Sequence, residues 1–144
     1  MSWKLISGQE IPPNAIIGGF DVDKSPLYIC RHTLNKDLIP GKANPKAIGC
    51  EISSGGSVHV FKDGYDILVG NNSDWVSSYG GDPIPSDAYP AGNDANGTHI
   101  YIGRCNTNHG SGDTTVIGKV DHWFYYSFAN KEYRDCANHQ ILIC

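Results

Sequence analysis

The chain has 144 residues, 17 glycines, 8 prolines and a formal net charge of -4, which is room for one compact domain or two small repeats sharing a core, and too little for two enzyme domains. No run of lysine or arginine offers the clustered positive surface that phosphate recognition needs, so no nucleic-acid partner is expected. No window approaches a membrane span, so no membrane insertion is expected, and the opening MSWKLISGQEIP lacks the apolar stretch of a secretory signal.

Taken in chain order, the segments read as β throughout. Trp3 opens a short strand, the glycine pair Gly18-Gly19 introduces the turn GGFD, and LYICRH then alternates its side chains across two faces. Gly41-Lys42 follows, then VHVF and YDILV, short β-branched runs separated by turn signals such as Gly55-Gly56. From Trp75 the order restarts. WVSSYGGDPIPSDAYPAGNDANGTHIYIGR aligns with the segment from Trp3 after one inserted residue, matching Trp3 with Trp75, Gly8 with Gly80, Gly19 with Gly92, Asp21 with Asp94 and Arg31 with Arg104. Gly118-Lys119 answers Gly41-Lys42 after a longer loop, FYYSF is a further strand, and QILIC closes the second copy as YDILV closes the first. The expected fold is therefore all-β: two tandem repeats, 1–72 and 73–144, each a small antiparallel sheet, packed about a pseudo-twofold axis with room to exchange an edge strand. Trp3 and Trp75 are expected to open equivalent strands. The second copy has no counterpart of Gly55-Gly56, so a different local geometry is expected there.

Two pairs of residues recur without the strands requiring them: Asp21 with Lys42, and Asp94 with Lys119. A carboxylate only accepts hydrogen bonds and an ammonium only donates them, so together they can hold adjacent hydroxyls, which is the chemistry of sugar binding. The competing reading is local. An aspartate after a glycine pair suits an Asx turn, and a lysine after glycine suits a solvated hairpin. Arg31 and Arg104 read as structural, pairing a carboxylate or capping carbonyls. Phe20, Trp123 and Tyr125 lie near the turns in question and could offer a face to sugar C–H groups, although core positions are the commoner use of such residues.

Other chemistries find no frame. The loop NDANGT places His99 and Cys105 where a calcium loop needs glycine and glutamate. Cys105/His109 and Cys136/His139 have spacings zinc could use, but in one repeat only and without finger context. No nucleophile elbow, phosphate-cradling loop or catalytic carboxylate pair stands out, so neither catalysis, cofactor nor metal is expected. Cys30, Cys50, Cys105, Cys136 and Cys144 make an odd count without framework spacing. In a chain read as cytosolic they are expected to be reduced thiols, mostly small core fillers.

The motifs W…G…IP.NA…GG.D, LYI.R, PGK and a closing YDILV resemble the DM-nine repeat, and the resemblance spans the chain twice. Similar repeats occur in two-unit invertebrate mannose-binding lectins and in the front domain of natterin-like toxins, whose pore-forming part has no room here. The resemblance implies a calcium-independent lectin for mannose or mannose-containing glycans, homodimeric and acting in glycan or pathogen recognition. It implies that the aspartate of the glycine-pair motif and the lysine of PGK hold the sugar, which are Asp21 and Lys42. The second copy departs from the pattern with AGND and IGK, which leaves open whether Asp94 and Lys119 bind as well. The expected location is the cytosol, or release from it by a route without a signal peptide. An intracellular scaffold that binds protein and no sugar is the alternative from a different class.

Overall fold

The computed structural model describes residues 1–7, 10–46 and 49–144; Gly8, one of the matched glycines, lies outside them. Fourteen strands and no helix are present among the described residues. The first repeat contributes β1 (Ser2–Ile6), β2 (Ile17–Phe20), β3 (Pro26–Leu34), β4 (Asp37–Ala43), β5 (Cys50–Ser54), β6 (Ser57–Phe61) and β7 (Tyr65–Val69). The second contributes β8 (Asp74–Tyr79), β9 (Gly92–Asn93), β10 (His99–Asn108), β11 (Asp113–Asp121), β12 (Trp123–Phe128), β13 (Lys131–Tyr133) and β14 (Asn138–Ile143). Every pairing is antiparallel, and the registers repeat from one copy to the other. Trp3 faces Leu68 as Trp75 faces Leu142; Arg31 faces Asp66 as Arg104 faces Gln140; Ser53 faces Val58 as Ser127 faces Glu132.

The two sheets expected from the sequence are joined into one. The short strand β2 lies between its own β3 and β11 of the other repeat, while β9 lies between its own β10 and β4. Because β3 also pairs with β4, the order β3, β2, β11, β10, β9, β4 returns to β3 and closes a ring shared by both copies. Closure leaves those strands no free edge. The exchange depends on glycine. A Cβ on Gly19 would stand 2.1 Å from the carbonyl oxygen of Thr115, and one on Gly92 would stand 2.0 Å from that of Leu38, so no other residue permits this approach.

Packing explains why one repeat does not suffice. The central core takes Ile16, Leu27, Ile29 and Leu68 from the first copy and Ala91, Ile102, Ile117 and Leu142 from the second, with Trp3 and Trp75 against it. Each large side chain buried there contributes roughly 1.5 to 3 kcal/mol, which neither copy secures alone. Both tryptophans open equivalent strands as expected, and each carries an arginine on its ring, Arg31 at 4.0 Å from Trp3 and Arg104 at 4.1 Å from Trp75.

Three expectations need correction. The cysteines are not all reduced: Cys30 is bonded to Cys50 and Cys105 to Cys136, leaving Cys144 free and exposed. The Cys30–Cys50 pairing is set by strand registers, β3 against β4 and β4 against β5, which spacing alone could not reveal. The same bond removes Cys105 and Cys136 as zinc ligands, because a metal takes the thiolate. The second copy's hairpin also does not differ for want of glycine. Ala129 and Asn130 take positive φ of 47° and 64°, the same left-handed turn that Gly55 and Gly56 make at 59° and 88°. Finally, Phe20 and Trp123 are not core residues, being 48% and 41% exposed.

Candidate functional site

The stretch around Lys42 owes its shape to the glycine before it. A Cβ on Gly41 would lie 2.0 Å from the carbonyl oxygen of Glu51, so a side chain there would block the close approach of β5 beside Lys42. Gly118 repeats the arrangement against Tyr125 at 1.9 Å. Both lysines then point inward, with their side chains 14% and 11% exposed. Each reaches across to the other repeat. Lys42 Nζ donates to the carbonyl of Ser127 at 2.7 Å, and Lys119 Nζ donates to the carbonyl of Ser53 at 2.8 Å. Each ammonium therefore ties the two copies together, with donors left over.

The acids beside the lysines come from different places. Glu51 stands 3.4 Å from Lys42 and accepts a 2.5 Å hydrogen bond from Ser127 Oγ. In the second copy Tyr125 occupies the position of Glu51, its ring 5.3 Å from Lys119, and the carboxylate is supplied by Glu132 on the next strand at 3.7 Å. Glu132 Oε1 accepts from the backbone of Gly56, while its buried Oε2 has no hydrogen-bond partner among the described residues.

The two aspartates sit in matching turns but do different things. The amide of residue 21 donates to Ser25 O, and that of residue 94 to Thr98 O. Asp94 Oδ1 accepts from the backbone of both Asn96 and Thr98, which is the Asx turn allowed for by the sequence. In the first copy Asp23 takes over that task by accepting from the amide and hydroxyl of Ser25. Asp21 accepts from the adjacent Val22 amide with one oxygen and turns the other toward Asn44, whose Nδ2 donates at 2.8 Å. Lys46 completes the surface of this turn by pairing with Asp23. That pairing, with the Ser25 bonds, holds the Asp23 carboxyl well below the usual carboxylate range.

Asp21 and Lys42 line one cleft of about 320 Å³, together with Asn44, Glu51, Leu27, Val60 and the turn Phe128-Ala129-Asn130. One wall is polar, with two carboxylates, an ammonium and an amide. The other is apolar, and the turn that closes it belongs to the second repeat. Asp94 and Lys119 belong to different local arrangements, the first held in its turn and the second enclosed by Ser53 and Glu132. Of the aromatic residues read from the sequence, none lines this cleft; Phe128 does. Asn44 was within reach of the sequence, since it stands two residues after Lys42, just past the end of β4. Glu51 and Phe128 were not, because only strand register and the packing of the repeats bring them there. Among the described residues no group of three His, Cys, Asp or Glu side chains is arranged to hold a metal ion.

The fold and this arrangement define a twofold-repeat, all-β module whose polar cleft is assembled between its copies. The sequence model of the DM9 repeat matches residues 1–57 and again residues 21–135, and the chain belongs to that family. The family is of a lectin-type binding kind, known for carbohydrate-binding lectins, and is not a catalytic one. Comparison with curated proteins finds no match.

Proposed function

We propose that the protein is a calcium-independent lectin that takes mannose in the cleft of Asp21 and Lys42. The observation that carries this reading is the cleft itself, in which Asp21, Lys42, Asn44 and Glu51 present acceptors and donors to one small volume beside an apolar wall. Vicinal hydroxyls each donate and accept, so an acid and an ammonium side by side match them in both roles. The remaining faces of Leu27, Val60 and Phe128 suit the C–H side of a pyranose. Charge-assisted bonds of this kind give roughly 1.5 to 3 kcal/mol each before desolvation, so a single cleft binds a monosaccharide weakly. A homodimer presenting two clefts would raise the avidity for a mannose-coated particle and serve pathogen or glycan recognition. The two disulfides favour work in an oxidising compartment, hence the released form.

Retention on mannose resin in the presence of EDTA tests the reading. Wild type is expected to bind and to be displaced by free mannose, and Asp21→Asn and Lys42→Ala are expected to pass through while keeping their far-UV spectrum. Binding by both variants, or binding abolished by EDTA, contradicts it.

A further inference from the structure

A second groove, of about 580 Å³, runs along the side of the molecule between β2 and β14 and contains neither Asp21 nor Lys42. Its floor carries Arg104. The two arginines are mates in the repeat, yet their partners differ. Arg31 Nε pairs with Asp66 at 2.9 Å and its Nη1 donates to the carbonyl of Ala91 at 2.8 Å, so its charge is compensated and its fork is occupied. Arg104 Nε donates at 2.7 Å to Gln140, a neutral amide at the position of Asp66. Its terminal nitrogens have no hydrogen-bond partner among the described residues. The guanidinium rests one face on the Trp75 ring at 4.1 Å, and its terminal nitrogens are not fully buried where Arg104 lines the groove.

The surroundings have diverged in the same direction. Registers place Ser77 and Ser78 where the first copy has Leu5 and Ile6, and Thr115 where it has Leu38. No aspartate or glutamate lines the groove, although the chain as a whole is acidic. Ser77 and Asn138 share the sheet face of Arg104 and Gln140, and the hydroxyl of Ser77 and the amide of Asn138 have no hydrogen-bond partner among the described residues. Exposed Phe20 also lines it. Burial lowers the pKa of Arg104 from its ordinary value, but a guanidinium remains charged at neutral pH.

We propose that this groove is a second sugar site, selective for acidic sugars: a sugar carboxylate or sulfate meets the open fork of Arg104, while hydroxyls meet Ser77 and Asn138. A planar fork with two free donors is the usual partner of such an anion. The hydroxyl and amide side chains around it distinguish a sugar acid from a bare ion. The site does not rest on the mannose reading, since the two share no polar residue.

The test is a titration of the whole chain, followed by backbone amide NMR at low salt, with glucuronate and galactose 6-sulfate. Glucose and galactose serve as neutral controls, and acetate and inorganic sulfate as bare anions. Both acidic sugars are expected to shift the amides of residues 77, 78 and 104 and to bind about tenfold tighter than either control group. Gln140→Asp rebuilds the Arg31–Asp66 arrangement, so it is expected to fold and to lose about tenfold in acidic-sugar affinity. Ser77→Ala, at an exposed position, is expected to lose about threefold. Asp21→Asn is expected to change nothing here, which separates this site from the mannose cleft. Equal binding of neutral sugars overturns the role of the anion, and equal binding of bare anions overturns the role of the sugar. Unchanged acidic-sugar binding in both Gln140→Asp and Ser77→Ala overturns the site.

Discussion

The two repeats share registers, turns and a lysine that crosses to the other copy, yet they employ their matched aspartates differently. In the first, Asp23 stabilises the turn, and Asp21 is left to face Asn44 and the cleft. In the second, Asp94 stabilises the turn itself, with one oxygen accepting two backbone amides. A neighbour two residues away thus decides whether an aligned carboxylate is free to meet a ligand. Identity at a repeat position fixes the backbone and does not fix the task.

The largest effect expected from probing this contrast is on stability. The first copy joins β3 to β5 through Cys30–Cys50, whereas the second fills the matching positions with Gly103 against Phe124, where a Cβ would meet the ring at 2.6 Å. Cys105–Cys136 ties the second copy elsewhere. Each crosslink closes a loop worth roughly 3 to 4 kcal/mol in the chain-entropy account. Urea unfolding of a Cys30→Ala, Cys50→Ala variant is expected to show that loss, and a midpoint equal to wild type would show that the bond stabilises nothing.

Next comes the lysine comparison. Lys119→Ala leaves Glu132, with a side chain 9% exposed, without its cation, at a cost of about 3 kcal/mol. Lys42→Ala is expected to cost less, about 1 to 2 kcal/mol, because Glu51 is 29% exposed and keeps its bond from Ser127. Equal losses in thermal unfolding would erase the distinction between the two. A smaller effect is expected at the aspartates: Asp94→Ala loses about 1 kcal/mol with its turn and keeps mannose retention, the reverse of Asp21→Asn.

The smallest effect is electrostatic. The Asp23 carboxyl is held low by Lys46, so its contribution to stability is present above its ordinary value of 3.8 and is lost as pH falls through the depressed folded value. Lys46→Ala is expected to move its NMR titration midpoint up toward 3.8, with no measurable change in the thermal midpoint at pH 7, since both groups are largely exposed. An unmoved titration midpoint would remove Lys46 as the cause.

Much of this was legible in the chain because repetition and period-2 alternation are local signals. LYICRH and HIYIGRC read as strands, Trp3 and Trp75 as equivalent starts, and Asp21 and Lys42 as an acid and a base worth pairing. What the residues did not disclose is non-local. Glu51 comes beside Lys42 through a strand register, Phe128 through the packing of one repeat on the other, and Cys105 meets Cys136 through the path of a later hairpin. The hairpin at Ala129-Asn130 escaped for another reason: asparagine tolerates a left-handed conformation, and here an alanine follows the glycine geometry because the strands on either side demand it.

The central claim is that mannose is held in a cleft built by both repeats, and amide shifts during titration with methyl α-mannoside read this most directly. The account predicts that Lys42 and Asn44 of the first copy shift together with Ala129 and Asn130 of the second, while Gly97 and Thr98 stay in place. Shifts confined to the Asp94 turn, or none at saturating sugar, would contradict it.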